Sequence, residues 1–135
     1  MKRLLLILIV TGSLFACKKS STTTTTITKS AGIAGWWELR RTSGGLRPDS
    51  IYASGNGNIY EFNSNNTYKK YQATLLVAQG TFRVVDNLGP NENGVILIYF
   101  DNNTTGEQLQ YDSQTLTIGT SAADGPAWTY QKISN

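Results

Sequence analysis

Asn58-Ile59-Tyr60-Glu61-Phe62-Asn63-Ser64-Asn65-Asn66-Thr67-Tyr68-Lys69-Lys70-Tyr71 reads as a strand, a polar turn and a second strand. Tyr60 and Phe62 fall on one side, Ile59 and Glu61 on the other, the period of two expected of a half-buried strand. Asn63 to Asn66 supply residue types that tolerate the tight backbone of a turn.

The same grammar extends in both directions. Apolar alternation bounded by Gly, Asn and Asp predicts strands over Trp36–Thr42, Asn58–Phe62, Tyr68–Leu76 and Gln79–Val85. It continues through Val95–Phe100, Glu107–Asp112, Thr115–Gly119 and Trp128–Ile133. No segment sustains a 3.6-residue apolar period. Phe82 and Val84 share a face, as do Leu109 with Tyr111, Leu116 with Ile118, and Trp128 with Tyr130. In the third strand the alternation sets Tyr71, Ala73 and Leu75 against Lys70, Gln72 and Thr74. The fifth strand is apolar throughout and is expected to be covered on both faces. Eight short strands joined by hairpins can close into a small antiparallel up-and-down barrel, which leaves no unpaired edge, although the same alternation also suits an antiparallel sandwich. The predicted class is all-β, with the barrel occupying residues 32–135, about one small domain's worth of chain.

What precedes the barrel is of another kind. Met1-Lys2-Arg3 is followed by an apolar run from Leu4 to Ala16. A charged start, an apolar stretch and a small residue make a secretory signal over residues 1–16. The run is shorter than the roughly 20 residues a spanning helix needs. Leu14-Phe15-Ala16-Cys17 resembles the lipobox of bacterial lipoproteins, which implies cleavage before Cys17 and lipidation of its thiol. Residues 17–31 then form a Ser/Thr-rich tether too poor in large apolar side chains to fold. Lys18, Lys19 and Lys29 lie beside the anchor, where they can touch anionic headgroups. Lys18 is not an aspartate that would retain the protein at the inner membrane, and no acidic cluster follows. The expected location is the cell envelope, at the outer membrane and facing the periplasm.

Composition narrows the chemistry. The chain has 12 basic and 9 acidic residues, and loss of Lys2 and Arg3 with the signal leaves a net charge of +1. So small a charge gives no footprint for nucleic acid. There is no histidine, and Cys17 is the single cysteine. Imidazole and thiolate metal sites, disulfides and the usual Ser-His and Cys-His nucleophile systems are thereby excluded. The carboxylates are scattered singly, with no pair suited to glycoside hydrolysis. No catalytic residue, cofactor or metal ligand is nominated, and the chain is not expected to be an enzyme. Asp101 to Asp112 imitates the spacing of a calcium loop but lacks flanking helices and the closing glutamate, so Asp101–Gly106 is read as a hairpin turn.

Ser43 to Gly57 is the longest connection, and long loops in compact domains often carry function. It is either a lid in which Arg47 and Tyr52 meet a ligand, or a solvated loop in which Arg47 pairs with Asp49. Asp49-Ser50-Ile51 within it resembles an O-glycosylation signal of envelope proteins. Seven tyrosines and three tryptophans suggest an aromatic interior.

Gly35-Trp36-Trp37 resembles the G-x-W that opens the first strand of lipocalins and related calycins. That resemblance implies that Trp37 closes the bottom of the barrel and that a basic residue of the last strand, here Lys132, packs across it. Phe62, Thr67-Tyr68, Gly80-Thr81-Phe82 and Trp128-Thr129-Tyr130-Gln131-Lys132 are similar to the small lipocalin-like domains of lipoproteins in Bacteroidetes-type bacteria. The expectation is a membrane-anchored envelope lipoprotein whose barrel binds a small hydrophobic ligand at its open end. The alternative is a non-enzymatic module that contacts an envelope protein or glycan.

Overall fold

The computed structural model describes residues 32–45, 48–87, 95–119 and 125–134. The strands are β1 (Gly35–Ser43), β2 (Ser50–Ile51), β3 (Ile59–Phe62), β4 (Thr67–Gln72) and β5 (Leu75–Asn87), followed by β6 (Val95–Phe100), β7 (Glu107–Tyr111), β8 (Thr115–Gly119) and β9 (Ala127–Ser134). All pairings are antiparallel. β1 and β3 to β9 follow one another around the sheet, and β9 returns to pair with β1. The protein is therefore all-β, with a closed eight-stranded barrel. β2 is a two-residue addition against Arg41 and Thr42.

Alternation determines what fills the barrel. The inward series on β1 and β3 runs through Trp37, Leu39, Tyr60 and Phe62, all buried. Phe82, Val84, Ile98, Leu109, Leu116, Ile118 and Tyr130 continue it around the wall. Their rings interlock. Phe62 meets Phe82 edge-on at 5.0 Å, Tyr68 meets Phe100 at 4.9 Å, and Tyr60 meets Tyr130 at 5.4 Å. Each such pair adds about 0.5–1.5 kcal/mol beyond the area it buries. The closing β1–β9 ladder shifts register between Leu39 and Arg41, so Arg40 is the extra residue of a bulge.

Two strand readings are corrected. The expected turn near Val77-Ala78 lies instead at Ala73-Thr74, between Gln72 and Leu75. Ala73 and Thr74 take φ of 47° and 71°, the left-handed pair that a two-residue hairpin requires. The tip is fixed from outside, because Thr74 N donates to Gly57 O at 3.0 Å and Ala73 N to Asn58 Oδ1 at 3.2 Å. β4 also lies the other way round from the alternation assigned to it, whereas Phe82 and Val84 of β5 face inward as expected. Phe62 pairs with Tyr68 and Tyr60 with Lys70, so Tyr68 and Lys70 face inward with those partners. Tyr71 faces outward, stacked on Trp36 at 5.8 Å and donating to Glu61 at 3.0 Å. Leu75, Leu76 and Val77 are exposed.

β6 is only partly covered on its outward face: Ile98 is buried on the inner side, while Leu97 and Tyr99 on the outer side are partly buried. Arg83 lies over the Tyr99 ring at 3.6 Å and supplies part of the cover.

Candidate functional site: the mouth of the barrel

The two ends of the barrel differ. At the end where β1 begins, Ile33 and Trp37 have no exposed surface. Trp37 Nε1 donates to Ile33 O at 2.7 Å. Lys132 Nζ stands 5.3 Å from the Trp37 ring centroid. Gly35 has a φ of 132°, and a Cβ there would lie 2.7 Å from both Lys132 Cε and Ser134 O. Gly35, Trp37 and Lys132 thus come together at the closed end.

The opposite end holds a cavity of about 280 Å³. Leu39 and Thr42 reach it from β1, Tyr60 from β3, and Lys70 and Gln72 from β4. Trp128 and Tyr130 line it from β9, with Tyr52 and Asn58 from the long connection. Lys70 Nζ lies 5.0 Å over the Tyr60 ring. Burial, reinforced by the charge of Glu107, pushes the hydroxyls of Tyr60 and Tyr130 above the ordinary tyrosine range. Both stay protonated at neutral pH and offer neutral hydrogen-bonding groups. The lining is therefore aromatic wall, amide and hydroxyl, with one ammonium.

The long connection only partly matches the expected lid. Tyr52 lines the cavity and packs on the core, held by its N–H to Arg40 O at 2.9 Å. The return leg is tied to Glu38, which alternates with the core residues Trp37 and Leu39 and so lies on the other face of β1. Gly55 N donates to Glu38 Oε2 at 3.1 Å and Gly57 N to Oε1 at 3.2 Å, and Arg40 forms an ion pair with the same carboxylate. Desolvation would raise the Glu38 pKa, but these donors outweigh it and hold it below the ordinary value. Asp49 takes Arg41 as its ion-pair partner. Arg47 and Cys17 lie outside the described residues.

At Asp101 the carboxylate is occupied internally. It accepts from Thr81 N at 2.9 Å and from the Tyr68 hydroxyl at 3.1 Å. The hairpin reading of Asp101–Gly106 fits these bonds.

Lys70 and Glu38 were not among the candidates drawn from the sequence. Lys70 could have been found by counting across the Asn63–Asn66 turn, since pairing Phe62 with Tyr68 puts Lys70 on the inner face. Glu38 had no such signal, because the two glycine N–H groups that bind it to the long connection lie 17 and 19 residues away. The geometry is compatible with a lipocalin-like barrel. No family model, no curated protein and no solved structure matches this chain.

Proposed function

We propose that the chain is a lipoprotein of the bacterial cell envelope, of the lipocalin-like kind found in Bacteroidetes-type bacteria, whose barrel mouth binds a small ligand without catalysis. The observation that carries the binding reading is the cavity walled by Tyr52, Trp128 and Tyr130. Concave aromatic sites with a few polar groups at a barrel mouth are a common setting for ligands. Trp128 is the tryptophan that lines this cavity. Titration with lipids and hydrophobic probes should therefore give a saturable fluorescence change that Trp128→Phe removes and Trp36→Phe retains. A flat titration across the panel refutes the binding reading.

The anchoring reading rests on residues 1–31. Replacing Cys17 by Ser should abolish incorporation of labelled palmitate and release the protein from membranes. Continued labelling refutes it.

A contact module is the second reading, and a specific feature favours it. Leu75, Leu76 and Val77 are 70%, 50% and 52% exposed, on a stretch of β5 that pairs with β4 alone. An apolar strand edge of this kind is a template for another chain. Crosslinking in intact envelopes, repeated with Val77→Lys, tests it. A reproducible adduct lost in the variant supports the reading, and an unchanged pattern refutes it.

A further inference from the structure

We infer that the barrel mouth takes a compact organic carboxylate with a single ring, and that Lys70 receives its charge. This inference rests on the reading of the mouth as a ligand site.

Lys70 is placed by register. It pairs with Tyr60 across β3 and β4, and both side chains face the interior. A lysine at such a position is unfavourable for packing alone, because its ammonium loses water and its four-carbon chain loses rotamer freedom. An aliphatic residue would fill the space at less cost.

Its partners are also informative. Among the described residues, Arg40 pairs with Glu38, Arg41 with Asp49 and Lys69 with Glu61. Lys70 has no carboxylate partner among them. Its contact is with the face of Tyr60, which leaves its three N–H donors without a matched acceptor. The groups that face it across the cavity are neutral: Thr42 of β1, Tyr60 of β3, Gln72 of β4, Trp128 and Tyr130 of β9, and Tyr52 of the loop. Glu107 of β7 acts on Tyr60 and Tyr130 through its charge, yet it does not line the cavity. A half-enclosed site with one unmatched ammonium favours an anion over a neutral or cationic ligand of the same shape.

Size and walls define the remainder. At about 30 Å³ per water, a cavity of ≈ 280 Å³ holds about nine waters, hence a ligand of about ten non-hydrogen atoms. That excludes a long acyl chain lying wholly within the barrel. Trp128, Tyr52 and Tyr60 offer flat faces to a ring, while Gln72 and Asn58 can reach polar substituents on it.

The test compares 4-hydroxybenzoate with 4-hydroxybenzamide, which share a ring and nearly a volume but differ in charge. Calorimetry on the purified mature protein in detergent should show the benzoate binding about tenfold more tightly or better, the usual scale of a charge-assisted hydrogen bond. The advantage should shrink as salt is raised. Lys70→Met should erase the difference while leaving benzamide binding intact, which also shows that the mouth still folds. Lys70→Arg should retain the preference. Equal affinities in the unaltered protein, or a preference that survives Lys70→Met, would overturn the inference and leave the ligand reading standing. If neither compound bound, this inference would fall, and the ligand reading would rest on the fluorescence panel alone.

Discussion

At the scale of single residues, Gly35 and Glu38 are held by opposite means, one by space and one by charge. Gly35 meets backbone as well as side chain, and its φ of 132° is one that residues with a Cβ rarely adopt. Gly35→Ala should destabilise the barrel by about 2 kcal/mol or more, whereas Lys132→Met should cost under about 1 kcal/mol, the scale of an exposed cation–π contact. Thermal or urea unfolding of both variants checks the order, and a larger loss for Lys132→Met would contradict it. Glu38 is 3% exposed and accepts from two glycine N–H groups and Arg40. Glu38→Gln should cost about 1.5–3 kcal/mol at neutral pH, as expected for bonds to a charged group. The Glu38 pKa is lowered on folding, so its contribution is complete above the unfolded value near 4.5 and fades as pH falls through the folded one. The stability gap between the unaltered protein and the Gln variant should therefore close in acid, and a gap independent of pH down to 2 would show that the carboxylate charge is not what holds the loop.

At the scale of elements, the strands were largely legible, because a closed barrel makes every strand half-buried and period-two alternation survives intact. The expected segments overlap β1 and β3 to β9, and the inward residues of β3, of the Phe82–Val84 part of β5 and of β7 to β9 are those the alternation chose. The β4–β5 hairpin was not legible. Ala73 and Thr74 carry none of the Gly or Asn signals of a left-handed turn, and Leu75-Leu76 read as the end of the preceding strand although both are exposed beside the mouth. Gly57 and Asn58 set the tip from a distant part of the chain, which local pattern cannot reveal. A β-branched residue at φ 71° is strained by about 1–3 kcal/mol. Thr74→Gly should relieve part of that strain, offset by the greater freedom of glycine in the unfolded chain. The expected net gain is about 0.5–1 kcal/mol, or roughly 2–8 °C in Tm for a domain of this size. A lowered Tm would show that the tip does not hold this turn. The mouth illustrates the same limit: its aromatic character was legible in composition, but Lys70 became a candidate only once strand register was known.

At the scale of the whole molecule, the position of the entering chain relative to the cavity sets the expected orientation. Gly32 packs against Tyr111, and Ile33 is buried under Trp37, so the polypeptide enters at the closed end. β1 then carries the chain up to Thr42, at the cavity on the opposite end. Fourteen residues, and so fifteen backbone steps, separate Cys17 from Gly32. Their reach is at most about 50 Å when fully extended and about 20 Å for a random coil. An anchor attached through the closed end leaves the mouth turned toward solvent. Lipidated protein in vesicles should therefore bind the aqueous probe 4-hydroxybenzoate within about twofold of the affinity shown by the Cys17→Ser variant in solution. Exposed Leu75, Leu76 and Val77 lie beside the mouth and oppose this expectation, since an apolar rim could instead settle on a bilayer. The backbone groups along that edge weigh against deep insertion, because unpaired N–H and C=O groups are costly in hydrocarbon. A loss of probe affinity on anchoring, restored by Leu76→Lys, would show that the rim lies against the membrane and that the mouth faces lipid.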